Sequence, residues 1–153
     1  MLTKSPEETI GLLLVDGARL LRLQIDRALE DAGLGLTAGE ARTLAYVSLY
    51  PASRQTALAA QMNVEPMTLV TFLDRLESRG LVAREPDPTD RRAKIVQLAP
   101  DAQQTLEQVH GITRRVQEEA LQDFRPEEVE MLRTLLKRMR ANLAGSEPGR
   151  GQE

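Results

Sequence analysis

Two prolines, Pro86 and Pro88, stand in a chain whose apolar residues otherwise recur mostly at helical spacing, and no regular helix can run through them. The flanking runs, Leu81 to Glu85 and Arg92 to Leu98, are extended in character. The stretch Pro86-Asp87-Pro88-Thr89-Asp90 between them is too long for a two-residue turn, so the pattern predicts a hairpin with a projecting tip. Helices must make up most of the remainder. The 153 residues fit one domain, and 41% hydrophobic content suffices for a core. With 3% aromatic residues and no Trp, that core is built from Leu, Val, Ile, Ala and Met, which suits helices better than a sandwich. The expected class is mainly α with one small β-hairpin.

Local signals divide the chain further. Ser5-Pro6-Glu7-Glu8 offers a capping Ser, Pro at the first helical position and Glu three residues after the cap. Ile10, Leu13, Leu14, Gly17, Leu21, Ile25, Ala28 and Leu29 then form a long amphipathic stripe that Gly33 stops. Thr37-Ala38-Gly39-Glu40 is a second capping box, opening a helix with Leu44, Ala45 and Val47 that ends near Tyr50, before Pro51. Ser53 is placed to cap a short helix from Gln55 to Gln61, with Leu58, Ala59 and Met62 inward. Asn63 tolerates the positive φ of a tight turn, Val64 tucks under, and Pro66 starts the next helix. Leu69, Val70, Leu73 and Leu76 are its buried stripe, and Gly80-Leu81 its C-terminal cap. After Pro100, Leu106, Val109, Ile112, Val116 and Ala120 mark a fifth helix ending near Arg125. Pro126 opens a sixth, with Val129, Leu132, Leu135, Leu136, Met139 and Leu143 inward. The Gly-rich polar tail from Gly145 to Glu153 is expected to be disordered.

Several classes of chemistry are disfavoured. The chain has no Cys and one His, so a disulfide framework, a zinc cluster and a thiol switch are not expected, nor is any cofactor. His110 has no companions for a metal site or triad. Glu118-Glu119 and Glu127-Glu128 diverge by about 100 degrees on a helix and do not converge as an acid/base pair. There is no Gly-rich phosphate loop and no nucleophile elbow, and an enzyme is not expected. Neither a leader pattern nor a membrane-length apolar run is present, and lack of Cys is compatible with a cytoplasmic location. The net charge of −3 argues against nonspecific coating of nucleic acid. Between Ser53 and Leu98 the balance is seven Lys and Arg against six acids, too small an excess to identify a partner alone.

Arrangement says more than charge. Two helices joined by a short turn, the second well capped, are the elements of a helix-turn-helix, and a hairpin follows directly. On a helical wheel of Pro66 to Arg79, Leu69, Leu73 and Leu76 fall on one side and Met67, Thr68, Thr71, Asp74, Arg75 and Ser78 on the other. The outward face is short and hydroxyl-rich, so it can lie in a major groove without obstruction. Thr68 and Thr71 suit phosphates or base edges, Met67 a thymine methyl, and Arg75 a phosphate or guanine; equally, Arg75 could pair with a neighbouring acid. At the hairpin tip, an Arg of Asp90-Arg91-Arg92 can enter a narrow minor groove while Asp90 pairs with an adjacent guanidinium.

In order, Leu36-Thr37, Leu58-Ala59, Val64, Thr68, Leu73-Asp74-Arg75-Leu76-Glu77, Arg79-Gly80-Leu81-Val82, Arg84 and Asp90-Arg91-Arg92 resemble the MarR family of bacterial transcriptional regulators. The resemblance implies a winged helix-turn-helix over residues 36–99, with dimerisation helices at 5–35 and 100–145 and a tail at 146–153. It implies a homodimer on double-stranded DNA with a pseudopalindromic operator, Thr68, Thr71 and Arg75 in the major groove, Arg91 in the minor groove, and Asp90 and Arg92 holding the wing. It also implies a small aromatic or anionic effector bordered by Arg19, Arg22, Arg42, Tyr46 and Tyr50, although such side chains are more often solvent-facing or packing residues. The chain departs from the family pattern at Ala99-Pro100, where relatives commonly carry a capping Thr; the start of the fifth helix stays open. Independently of the resemblance, the stripes of the first and last helices need covering, which predicts a homodimer with half-sites about 10 bp apart. The competing reading is a winged helix used only for protein contact.

Overall fold

The computed structural model describes residues 8–145, so the predicted Ser5-Pro6-Glu7 start and the 146–153 tail lie outside the described residues. Contacts group the chain into two units, Met1–Gln117 and Glu118–Glu153.

In the first unit, helix α1 (Ile10–Asp31) is capped by Thr9, whose hydroxyl accepts the Leu12 amide at 3.2 Å. The cap therefore falls at Thr9, after the Ser5 position favoured by the sequence. Gly33 and Gly35, at φ of 65° and 69°, turn the chain through the left-handed region that glycine occupies most easily. Helix α2 (Ala38–Leu49) opens with the reciprocal box: the Thr37 hydroxyl accepts from Glu40 N, and Glu40 Oε2 accepts from Thr37 N.

Strand β1 (Ser53–Arg54) follows, then helix α3 (Gln55–Met62). Ser53 is thus not the cap; Arg54 occupies that position without a side-chain bond, because Ser53 pairs with Val96 in the sheet. Asn63 holds φ 52° and ψ 48°, and its amide and that of Val64 turn back to α3 carbonyls, closing the turn into helix α4 (Pro66–Ser78). Leu69, Leu73 and Leu76 are fully enclosed, whereas Val70 is only half-buried. Helix α4 ends in a Schellman arrangement, Leu81 N to Leu76 O and Gly80 N to Glu77 O at 2.9 Å each, with Gly80 at φ 69°.

Strand β2 (Val82–Pro86) and strand β3 (Lys94–Leu98) form the hairpin, antiparallel from Val82 opposite Leu98 to Pro86 opposite Lys94. β3 is central, giving the order β1-β3-β2. Beyond it, Pro100–Ala102 make one 3₁₀ turn, and helix α5 (Gln103–Ala120) begins directly after, which fixes the start that Ala99-Pro100 left open. The core joins Leu44 and Val47 of α2, Leu58 and Met62 of α3, the α4 leucines, Val96 of β3 and Leu106 and Val109 of α5. Each large apolar side chain so enclosed contributes roughly 1.5–3 kcal/mol relative to exposure. α1 supplies only Leu29 fully; Ile10, Leu13 and Val15 stay exposed.

In the second unit, helix α6 (Pro126–Ala144) starts with Glu128 accepting from both Arg125 N and its Nη2, at 2.9 Å each. Its predicted inward stripe is not fully enclosed: Val129, Leu132 and Met139 are half-buried, and Leu135, Leu136 and Leu143 are exposed.

Candidate nucleic-acid interface

Burial of Leu69, Leu73 and Leu76 fixes the rotation of α4, and the opposite face follows from it. Met67 is 74% exposed at its first turn. The Thr68 hydroxyl has no protein partner among the described residues, and Thr71 Oγ1 donates to Met67 O at 3.1 Å, keeping its lone pairs outward. Two members of the predicted face are engaged. Asp74 accepts from Arg84 Nη2 at 2.6 Å, and Arg75 Nη1 donates to Glu40 Oε1 at 3.1 Å. The neighbouring-acid alternative for Arg75 is thus realised through Glu40, 35 residues away, although the Arg75 side chain remains largely exposed.

Arg84 on β2 ties the hairpin to α4. Its guanidinium reaches Glu77 Oε2 through Nε at 3.1 Å and Nη2 at 2.5 Å, besides Asp74, and the hydrogen bond from Arg84 holds the Glu77 carboxyl below the usual range. A partly buried guanidinium shared by two carboxylates is a firmer joint than an exposed pair.

The wing tip is organised around Asp87, not Asp90. Asp87 Oδ1 accepts from Thr89 N and Thr89 Oγ1 at 2.8 Å each, and Oδ2 accepts from Arg54 Nε at 2.5 Å. Those bonds, from Thr89 first and then Arg54, push the Asp87 carboxyl down to about 2. Arg54 comes from β1, which lies beside β3, so the short strand unseen in the sequence delivers the cation that pins the tip. Asp90 pairs with no guanidinium among the described residues: its Oδ1 accepts the backbone N–H of Arg92 at 3.0 Å, and Ala93 N returns to Asp90 O. Arg92 accordingly holds the loop through its backbone. The side chains of Arg91 and Arg92 are exposed and make no hydrogen bond or ion pair among the described residues.

The five residues expected to border an effector separate. Arg22, Arg42 and Tyr46 line one cleft of about 440 Å³, with Ile25, Leu49 and His110 among its other walls. Arg19 instead pairs with Asp16 at 2.7 Å, and Tyr50 stacks on Tyr46 with centroids 6.1 Å apart, outside the lining. Arg42 Nε lies 2.9 Å from Asp26 Oδ1 without hydrogen-bond alignment, and its Nη1 is buried with no partner. A buried N–H left unmade costs about 1–3 kcal/mol. Nothing in the sequence near His110 marks α5 as facing α1 and α2, so its place in this wall is visible only in the fold.

Among the described residues, no three His, Cys, Asp or Glu side chains are placed to hold a metal, and no helix is long and apolar enough to cross a membrane.

The MarR family model matches residues 36–94. Among solved structures, the transcriptional regulator PA3341 is 32% identical over 90% of this chain and 99% of its own, with a TM-score of 0.74. Wild-type MarR from E. coli, in its apo form, is 25% identical over 86% of this chain and 96% of its own, TM-score 0.72. The transcriptional regulator SlyA is 25% identical over 90% and 96%, TM-score 0.69. With the family model matched over residues 36–94 and solved regulators matched over most of the chain, the chain belongs to the MarR family of transcription regulators.

Proposed function

We propose that the chain is a dimeric, sequence-specific DNA-binding repressor that reads a pseudopalindromic operator from the cytoplasm. One observation carries this reading: an unobstructed α4 face stands beside a rigidly anchored wing that presents two arginines with no partner among the described residues. Met67, Thr68, Thr71 and Arg75 meet base edges and phosphates of the major groove, and Arg91 enters the minor groove. Asp90 and Arg92 shape the tip by their side chain-to-backbone bond, and the Arg92 side chain adds a phosphate contact. Residues 36–99 form the reading part, and the 5–35 and 100–145 segments of two copies form the dimer.

The test is selection from a random-sequence duplex library by the full chain, followed by titration of the enriched duplex. Recovery of an inverted repeat bound tightly supports the reading. No enrichment overturns it and favours a protein-contact role. Transcription in vitro from a promoter carrying the enriched site distinguishes repression from activation.

The effector reading rests on Arg42, whose buried Nη1 lacks an acceptor beside Tyr46 and Arg22. An aromatic carboxylate would supply the acceptor and fill the apolar wall. Calorimetric titration with a panel of such acids, yielding neither heat nor loss of DNA affinity, would remove that part of the proposal.

A further inference from the structure

One edge of α4 touches the segment that leads into α2 at three successive levels. Arg79 Nη1 donates to Gly35 O, Arg75 Nη1 donates to Glu40 Oε1 at 3.1 Å, and the Phe72 ring lies against Gly39. A Cβ on Gly39 would stand 2.3 Å from Phe72 Cζ and 2.7 Å from Cε1, far inside any real contact. The φ of Gly39 does not demand glycine, since it sits in the first turn of a helix; the ring does. Next to it, Glu40 is 4% exposed, and its two oxygens are divided between the Thr37 amide and Arg75. A carboxylate needed for the α2 cap is thereby also the anchor of a guanidinium on the candidate reading helix.

We infer that the first turn of α2 positions the reading face of α4, Gly39 by leaving room for Phe72 and Glu40 by holding Arg75 at one edge. The inference rests on the DNA-reading function proposed above and assigns it two positioning residues that touch no DNA themselves. Thr68, Phe72, Arg75 and Arg79 share one stripe of the helix, spaced by four, three and four residues. With Phe72 and Arg79 docked, that stripe is kept low, and Thr68 and the free N–H groups of Arg75 are left at its open border. Arg carries five N–H donors, so one bond to Glu40 orients the group and leaves donors for a base or phosphate. A methyl on Gly39 evicts the ring, which on swinging out to the solvent side of α4 would stand where a duplex would lie. Phe72 is half-buried and its ring can swing, so the fold survives while the reading face is obstructed.

The experiment uses the full chain and the duplex enriched by the wild type, with a scrambled duplex as the nonspecific probe. Gly39→Ala, Phe72→Ala and the double variant are titrated at one salt concentration, with circular-dichroism melts showing each to be folded. Gly39→Ala is expected to weaken the enriched duplex about tenfold, the size of one lost base contact, and to leave the scrambled duplex nearly unchanged. The double variant should return to within about threefold of Phe72→Ala, because the obstruction is gone; a generally damaged helix would not be rescued by removing a second side chain. In parallel, Glu40→Gln keeps the cap acceptor but weakens the hold on Arg75. It should lower affinity in the wild-type background and have no further effect in the Arg75→Ala background. Gly39→Ala binding like wild type, absence of rescue, or an equal Glu40→Gln effect without Arg75 overturns the inference. A wild type that enriches no duplex overturns the DNA reading and this inference together.

Discussion

Asp87 shows how one carboxylate can govern a loop. It is 7% exposed, accepts from Thr89 twice and from Arg54, and has its pKa pushed down to about 2 from the usual 3.8. Because the folded value lies below the unfolded one, the stabilisation from the ionised form is complete above about pH 4 and disappears as pH falls through about 2. The melting temperature of the wild type should therefore drop more steeply than that of Asp87→Asn between those limits, and amide exchange in residues 87–93 should accelerate in the same window. Parallel pH profiles for the two proteins would show that the carboxylate does not anchor the wing. Arg91 belongs to the same loop but has no partner among the described residues, so its removal is expected to leave the fold alone. Arg91→Ala should weaken duplex binding by about tenfold at moderate salt and reduce the slope of log affinity against log salt by about one, read from anisotropy titrations. The sequence exposed Arg91 and Arg92 as an isolated basic tip. It did not expose Asp87 as the hub, because the partner that completes it, Arg54, is 33 residues away and arrives through a strand of two residues.

At the scale of elements, legibility followed the range of the forces involved. The α2 capping box, the left-handed Asn63, Pro66 at the head of α4 and the Gly80-Leu81 ending all depend on neighbours within a few residues, and each stands where the sequence placed it. β1 has no such signal, since two residues cannot display a period, and Ser53 looked like a cap because nothing local reveals that β3 will claim it. The Glu40–Arg75 and Arg84–Asp74–Glu77 bonds likewise need the α2–α4 and α4–β2 packing before they can be read. The α2 start offers a quantitative check. Thr37→Ala deprives the Glu40 amide of its acceptor, which should cost about 1 kcal/mol. Urea unfolding should show a lower midpoint with unchanged slope; an unaltered midpoint would mean that water replaces the hydroxyl without loss.

For the whole molecule, the informative quantity is the apolar surface that the single chain leaves uncovered. Ile10, Leu13 and Leu14 on α1 and Leu135, Leu136 and Leu143 on α6 are all exposed, at the spacing of continuous stripes. The sequence made these stripes visible but could not say whether one chain encloses them; within each unit described here they remain open. Large open apolar patches mark interaction surfaces, and a second copy is the occupant that the proposed reading of an inverted repeat requires. Leu13→Glu combined with Leu135→Glu places charges where that copy would bury them, at a cost too large for association to absorb. The variant should sediment as a monomer at micromolar concentration while retaining the circular-dichroism signal of the reading part. It should bind a single half-site duplex as the wild type does. On the full inverted repeat it should lose about 10²–10⁴-fold, because the second head no longer benefits from the high effective concentration that linkage to the first provides. If the variant stays dimeric, the stripes are not the interface. If it is monomeric yet binds the full repeat undiminished, the heads do not act as a linked pair, and the symmetry of the operator has another origin.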